Sequence, residues 1–109
     1  MRRRPLLASA LVLAACGVLS PEEQLLRRFF EASRLYDTTT VAALATVAFN
    51  PRTDGVVGDF EIEDVAEEGS SKLVTIRAAV RQLDGGTTQR ALVVTMVRKD
   101  DRWFIIRVE

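Results

Sequence analysis

The spacing of the hydrophobic residues changes along the chain, from a helical period in the first half to a period of two in the second half. Apolar residues recur every three or four positions between Pro21 and Tyr36, which predicts a helix with one apolar face. Ser20 precedes this segment and can cap the helix. A shorter helix is predicted from Thr39 to Val47, and it ends before Pro51 because the residue before a proline disfavours the helical conformation.

Strict alternation of polar and apolar residues runs from Asp59 to Glu63, which predicts a half-buried strand. Three further strands are predicted, over Lys72–Leu83, Gln89–Arg98 and Trp103–Glu109, with short turns between them. Short turns join strands that pair as antiparallel neighbours. We therefore expect an α+β domain in which two N-terminal helices pack on a curved four-stranded antiparallel β-meander.

The acidic residues of the first predicted strand have arginines as their expected neighbours. The hairpin register places Glu61 and Glu63 beside Arg77 and Arg81, on the face opposite to the apolar residues. Opposite charges across two strands stabilise a sheet by about 0.2–1 kcal/mol per pair. We expect a solvated, paired face here; a metal site and a surface that recognises a partner are the alternatives.

The last predicted hairpin is apolar on both faces, and the helices account for only one of them. The other face needs cover from curvature of the sheet, from lipid or from another subunit, and we predict that it forms a homodimer. On this face the Arg98 guanidinium is expected to stack on the indole ring. The predicted dimer face consists of Val94, Met96, Trp103 and Ile105.

The chain begins with a short basic segment and an apolar run. Arg2, Arg3 and Arg4 precede uncharged residues from Pro5 to Ala15. A basic start, an apolar run of about 7–15 residues and small residues at its end are the layout of a secretory signal. A membrane-spanning helix needs about 20 apolar residues, more than this run supplies. We therefore expect a processed signal; a retained apolar helix is the alternative.

The end of the apolar run, LAAC at residues 13–16 followed by a glycine, resembles the lipobox of bacterial lipoproteins. The resemblance implies cleavage between Ala15 and Cys16 and attachment of lipid, palmitate included, to the Cys16 thiol. An ordinary secretory signal with an unrelated cysteine is the alternative. The resemblance divides the chain into a signal peptide over residues 1–15, a lipidated tether over 16–19 and a domain over 20–109.

A lipid on Cys16 makes the membrane the first expected partner. Each buried methylene of an acyl chain contributes about 0.8 kcal/mol, and two chains suffice for stable anchoring. The expected location is therefore the extracytoplasmic side of the cell membrane or the outer membrane, facing the periplasm or the outer surface.

Charge and composition make several classes of function improbable on chemical grounds. The chain carries 15 basic and 15 acidic residues, and without the three leader arginines 12 basic residues stand against 15 acidic ones. This balance favours no nucleic-acid partner. The sequence contains no histidine and one cysteine, so the usual general base near neutral pH is missing. We expect no enzyme activity, no cofactor and no metal ion.

Three stretches, LLRRFFEASRLYD, TTTVAALATVAF and LVVTMVRKDDRWFIIRV, resemble the NTF2-like (cystatin-like cone) superfamily and its small lipoprotein members. The resemblance implies helices on a curved sheet, and members similar to ketosteroid isomerase use a carboxylate base and a phenol. Tyr36 and Asp37 are the residues of this chain that match such a pair, as ligand-binding or catalytic groups. The alternative is that Tyr36 is a core aromatic and Asp37 caps the second helix.

These observations lead to one expected function and two alternatives. We expect a lipid-anchored, non-enzymatic domain at the cell envelope that binds a partner protein or a small apolar ligand. A small enzyme of the isomerase or dehydratase type, using Asp37 and Tyr36, is the first alternative. A structural subunit of an envelope complex is the second. An enclosed apolar cavity with Asp37 pointing into it would favour the enzyme.

Overall fold

The structure is a computed structural model that describes residues 19–109. Two helices are followed by four strands, which form one antiparallel sheet in the order β1-β2-β3-β4. The predicted α+β arrangement, with two helices before a four-stranded antiparallel meander, is confirmed. The bounds are α1 Pro21–Arg34, α2 Thr38–Leu44, β1 Val56–Glu68, β2 Ser71–Arg81, β3 Thr87–Lys99 and β4 Arg102–Val108.

Helix α1 begins as the sequence predicts and ends two residues earlier. The Ser20 hydroxyl accepts a hydrogen bond from the backbone N–H of Glu23 at 3.2 Å. At the other end Tyr36 adopts a left-handed conformation with φ 57°, and the Asp37 N–H donates to the Ala32 carbonyl at 2.9 Å. These are the features of a Schellman turn, in which the left-handed residue is usually glycine. The turn closes the last carbonyls of α1 and ends the helix before Tyr36.

Helix α2 is shorter than predicted because a contact far away in the sequence ends it. Ala45 is extended and forms a parallel bridge with Ile105 of β4. The Thr46 N–H then donates to the Ile105 carbonyl at 2.9 Å. The predicted helical residues up to Val47 therefore leave the helix to pair with the edge of the sheet.

Strand β1 is longer than the alternating segment from which it was predicted. Its pairing with β2 shifts between Val57 and Phe60 and again between Ile62 and Asp64. Each shift exchanges the faces to which successive side chains point. The period of two is therefore visible only between the two shifts. The predicted register there is confirmed, because Phe60 stands opposite Ala78 and Ile62 opposite Ile76.

The helices cover one face of the sheet and form a single apolar core with it. Phe30 of α1 contacts the ring of Phe49 edge-on, with 5.5 Å between the ring centres. The fully buried core side chains come from α1, β2, β3 and β4; the largest are Phe29, Leu26, Ile76, Leu92, Met96, Ile105, Val74, Val80 and Val94. All of them lie between residues 26 and 105, so the segment from residue 19 to 109 carries its own core.

The face predicted to form a homodimer is the face that the helices cover. Val94, Met96 and Ile105 are at most 1% exposed, and Trp103 packs against the same core. The cation on the Trp103 ring is Lys72, whose Nζ lies 4.0 Å from the ring centre, not Arg98. The prediction failed because both faces of this hairpin are apolar, and alternation alone does not tell which of them the helices bury.

The face of the sheet that the helices do not cover also carries apolar residues. Leu73 and Val93 point to this side and are 42% and 38% exposed. Glu63 forms an ion pair with Arg77, as predicted, but Arg81, which was predicted beside the same carboxylates, stands opposite Val56 instead because the pairing of β1 and β2 shifts between Val57 and Phe60. Both side chains of the pair are more than a third exposed, so this face is solvated.

Candidate functional site

An apolar groove lies between the C-terminal part of α1, helix α2 and the irregular segment of residues 46–51. Its volume is about 380 Å³. We call it the helical groove. Small and medium apolar side chains make up most of its lining, among them Ala32, Val41, Ala42, Ala45, Val47, Ala48 and Phe49.

The groove exists because α2 stops early and the chain turns away from it. The segment after Ala45 is held to the sheet by its bridge to Ile105. It is held to α1 by Ser33, whose buried hydroxyl accepts a hydrogen bond from the Phe49 N–H at 3.4 Å. The floor of the groove is thus fixed by packing, and its outer wall is the exposed Ala42 side of α2.

Tyr36 is one of the residues that line the helical groove. Its side chain is 57% exposed, so it is not the core aromatic that one reading of the sequence expected. Non-glycine residues held in the left-handed region cost about 1–2 kcal/mol, and such residues cluster at ligand sites. Tyr36 also lines a second cavity, and Pro51 is the other residue that the two cavities share.

The second cavity has a volume of about 490 Å³ and is bounded by two arginines from distant parts of the sequence. Arg52 follows Pro51, and Arg81 is the last residue of β2. We call this cavity the arginine cleft. Its other lining residues are Val56, Gln82 and Leu83.

Gly55 allows the loop that carries Arg52 to approach the end of β2. Its φ is 97°, a conformation that other residues rarely adopt. A Cβ atom there would lie 2.6 Å from Val80 Cγ1 and 2.9 Å from the Arg81 carbonyl oxygen. A hydrogen bond within the loop joins its two ends, because the Asp54 carboxylate accepts from the Asn50 N–H at 2.8 Å.

Both arginines of the cleft lack an acidic partner within the part of the chain that the structure describes. No carboxylate oxygen of residues 19–109 lies within 4.0 Å of the Arg52 or the Arg81 guanidinium. Arg27 and Arg77, in contrast, are paired with Glu23 and Glu63. The cleft therefore presents positive charge to solvent.

Asp37 is the N-cap of α2. One carboxylate oxygen accepts from the Thr40 N–H at 3.2 Å, and the other accepts from the Thr40 hydroxyl at 2.6 Å. These bonds, the one from the hydroxyl first, hold the pKa of Asp37 below its ordinary value. Asp37 lines neither cavity, while its neighbour Tyr36 lines both. Asp37 therefore caps a helix away from both cavities, and of the two candidate residues only Tyr36 borders them.

The predicted lipidation residue Cys16 and the predicted cleavage site between Ala15 and Cys16 lie outside the described residues. Within residues 19–109 no helix is long and apolar enough to cross a membrane. In the same range there is no group of three or more histidine, cysteine, aspartate or glutamate side chains arranged to hold a metal ion.

Comparison with known proteins identifies a structural relative. The fold is similar to the crystal structure of a "putative NTF2-like transpeptidase" from Campylobacter jejuni, with a TM-score of 0.51 and 15% sequence identity. The match covers 81% of this chain and 99% of that chain. At this identity the likeness concerns the fold alone, and it supports the expected NTF2-like arrangement. No protein-family model and no curated protein matches the chain.

Proposed function

We propose that the domain binds a small apolar ligand in the helical groove, and that it does so without catalysing a reaction. The groove is the observation that carries this proposal. Its volume of about 380 Å³ falls within the range of small-molecule sites, about 300–1,000 Å³, and its lining is mainly apolar with a few polar groups.

The polar groups support ligand binding more than catalysis. Tyr36 is placed at the groove, but Asp37, the only carboxylate suggested as a base, is occupied as a helix cap. The sequence has no histidine, and its single cysteine precedes the domain. The activity in the name of the Campylobacter jejuni protein is not carried over to this chain, because its likeness is one of fold.

We further propose that the domain is attached to the extracytoplasmic side of a membrane through lipid on Cys16. The lipobox-like sequence before Cys16 supports this anchor. Three residues, Gly17 to Leu19, separate Cys16 from the Ser20 cap of α1. An extended chain spans at most about 3.6 Å per residue, so the anchor would hold the domain close to the bilayer.

The groove is tested by filling it. Ala42→Trp places a large ring at the exposed wall of the groove, while Ala43→Trp places the same ring on an exposed position of α2 that does not line it. In the fragment of residues 19–109, 1-decanol is expected to bind in the wild type and in the Ala43 variant. It is expected to bind at least tenfold more weakly in the Ala42 variant. Equal affinities in all three, or no binding by the wild type, would contradict the proposal.

The anchor is tested by metabolic labelling with radioactive palmitate in a bacterial host. The wild-type chain is expected to take up label, and Cys16→Ser is expected to take up none. Equal labelling of the two chains would show that the lipid is not on Cys16.

A further inference from the structure

We propose that the ligand is a single-chain amphiphile with an anionic head group: its apolar chain lies in the helical groove and its carboxylate or phosphate lies in the arginine cleft. This inference rests on the proposed function and names its ligand class. It follows from the position of the two cavities relative to each other and from the charge of the second one.

The two cavities are adjacent. Tyr36 and Pro51 line both of them, so one molecule can pass from the helical groove into the arginine cleft across these two side chains. Their character differs on the two sides of this ridge. The helical groove is bounded mainly by alanine, valine and phenylalanine residues, whereas the residues that line the cleft include Arg52 and Arg81.

Neither arginine of the cleft has an ion-pair partner among residues 19–109. The nearest acidic residue in the sequence to Arg52 is Asp54, and its carboxylate already accepts from the backbone of Asn50. Asp84, beyond the end of β2, accepts from the Gly86 N–H at 2.8 Å. Guanidinium groups bind carboxylate and phosphate oxygens with two parallel hydrogen bonds, so an anionic oxygen group fits the unpaired arginines.

Packing at Gly55 sets the backbone positions of Arg52 and Arg81 relative to each other. Gly55 permits the close approach that brings the two arginines to one cleft, and the Asn50–Asp54 bond keeps the intervening loop in place. Tyr36 is held in a left-handed conformation at the ridge between the cavities. A glycine would relieve the backbone there but would leave the ridge without a side chain.

The test compares the affinities of three ligands that have a ten-carbon chain and different head groups. Binding of decanoate, decyl phosphate and 1-decanol to the wild-type fragment of residues 19–109 is measured by calorimetry, with a cooperative thermal transition as the criterion for a folded sample. We expect at least one of the two anions to bind about tenfold more tightly than the alcohol, the effect of about two exposed ion pairs. The tighter of the two anions identifies the head group.

Two double variants test whether the preference for the anion comes from the arginine cleft or from the overall charge of the domain. Arg52→Gln with Arg81→Gln is expected to remove the preference for the anion and to leave the affinity for 1-decanol unchanged. Arg28→Gln with Arg98→Gln removes the same charge from exposed positions that line neither cavity and is expected to keep the preference. Raising the salt concentration should weaken binding of the anion and not that of the alcohol.

The outcomes distinguish this inference from the proposed function. Equal affinity of the wild type for the anions and the alcohol would overturn the amphiphile and leave the apolar groove intact. A preference that survives in the Arg52 and Arg81 variant would also overturn it. Failure of all three compounds to bind would contradict the proposed function itself.

Discussion

Lys72 Nζ donates a hydrogen bond to Glu22 Oε2 at 2.6 Å and lies over the ring of Trp103 at 4.0 Å from its centre. The pair joins the first turn of α1 to the start of β2, 50 residues away in the sequence. The Lys72 side chain is 6% exposed and that of Glu22 is 16% exposed. The ion pair is therefore nearly dry and orients the N-terminal end of the helix on the sheet.

Removing the carboxylate of Glu22 is expected to cost more stability than removing the ammonium of Lys72. Glu22→Gln leaves the buried ammonium of Lys72 without its carboxylate, which costs about 3 kcal/mol. Lys72→Met keeps an unbranched apolar chain against Trp103, and Glu22 can turn towards water from the first helical turn, so the cost is about 1 kcal/mol. Urea denaturation of the two single variants and the double variant measures this. Equal costs, or a small cost for Glu22→Gln because Glu67 opposite Lys72 replaces it, would contradict the prediction.

The same pair makes stability depend on acidity. The hydrogen bond from Lys72 holds the pKa of Glu22 below its ordinary value of about 4.5. The unfolded chain therefore binds this proton at a higher pH than the folded chain does, and stability rises with pH across this range. The contribution is complete above the ordinary pKa and is lost as pH falls through the lower folded pKa. Between pH 6 and pH 3 the urea midpoint of the wild type should fall more than that of Glu22→Gln; parallel curves would exclude the linkage.

Two adjacent residues of β3 test which face of the sheet the helices cover. Val94 is fully buried, whereas Val93 points to the other side and is 38% exposed. Threonine has the shape of valine, so Val94→Thr buries a hydroxyl at a cost of about 1–3 kcal/mol, and Val93→Thr should change the free energy of unfolding by less than about 0.5 kcal/mol. Thermal denaturation compares the two. A larger loss for Val93 would indicate that its face is covered, for example by a second copy.

Much of this fold could be predicted because the relevant signals are local. Ser20 and Pro21 mark the start of α1, and the alternation of Phe60 and Ile62 sets the register of the first hairpin. The features that were missed depend on contacts between distant residues. Helix α2 ends where Ala45 pairs with Ile105, and nothing in the local sequence from Thr39 to Val47 announces that bridge.

The candidate site shows the same division. Tyr36 was predicted as a candidate because the resemblance to ketosteroid isomerase-like members implies a phenol and a carboxylate, and Tyr36 and Asp37 are adjacent in the sequence. Arg52 and Arg81 were missed as a pair, because 29 positions separate them in the sequence and only the close approach at Gly55 brings them to one cleft. The pair Asp54-Gly55 is typical of a turn, but such a pair does not indicate which strand end the turn will meet.

Tyr36 is expected to lower the stability of the domain and to contribute to ligand binding. Tyr36→Gly should raise the free energy of unfolding by about 1 kcal/mol, because glycine adopts the left-handed conformation of this turn without steric cost. It should also weaken binding of decanoate. Tyr36→Ala is the matched control, since it removes the ring but retains the backbone cost. Thermal denaturation and calorimetry on both variants check this; unchanged or stronger binding of decanoate by both variants would exclude Tyr36 from the ligand site.

Variants at Asp37 distinguish a role as helix cap from a role as catalytic base. Asparagine caps a helix about as well as aspartate does, so Asp37→Asn should retain the melting temperature at neutral pH, while Asp37→Ala should lower it. Only the aspartate is a carboxylate that can take a proton from a substrate. If the domain only binds ligands, Asp37→Asn should bind decanoate with wild-type affinity. An isomerase or dehydratase activity that is present in the wild type and lost in Asp37→Asn, with the melting temperature unchanged, would instead establish the enzyme.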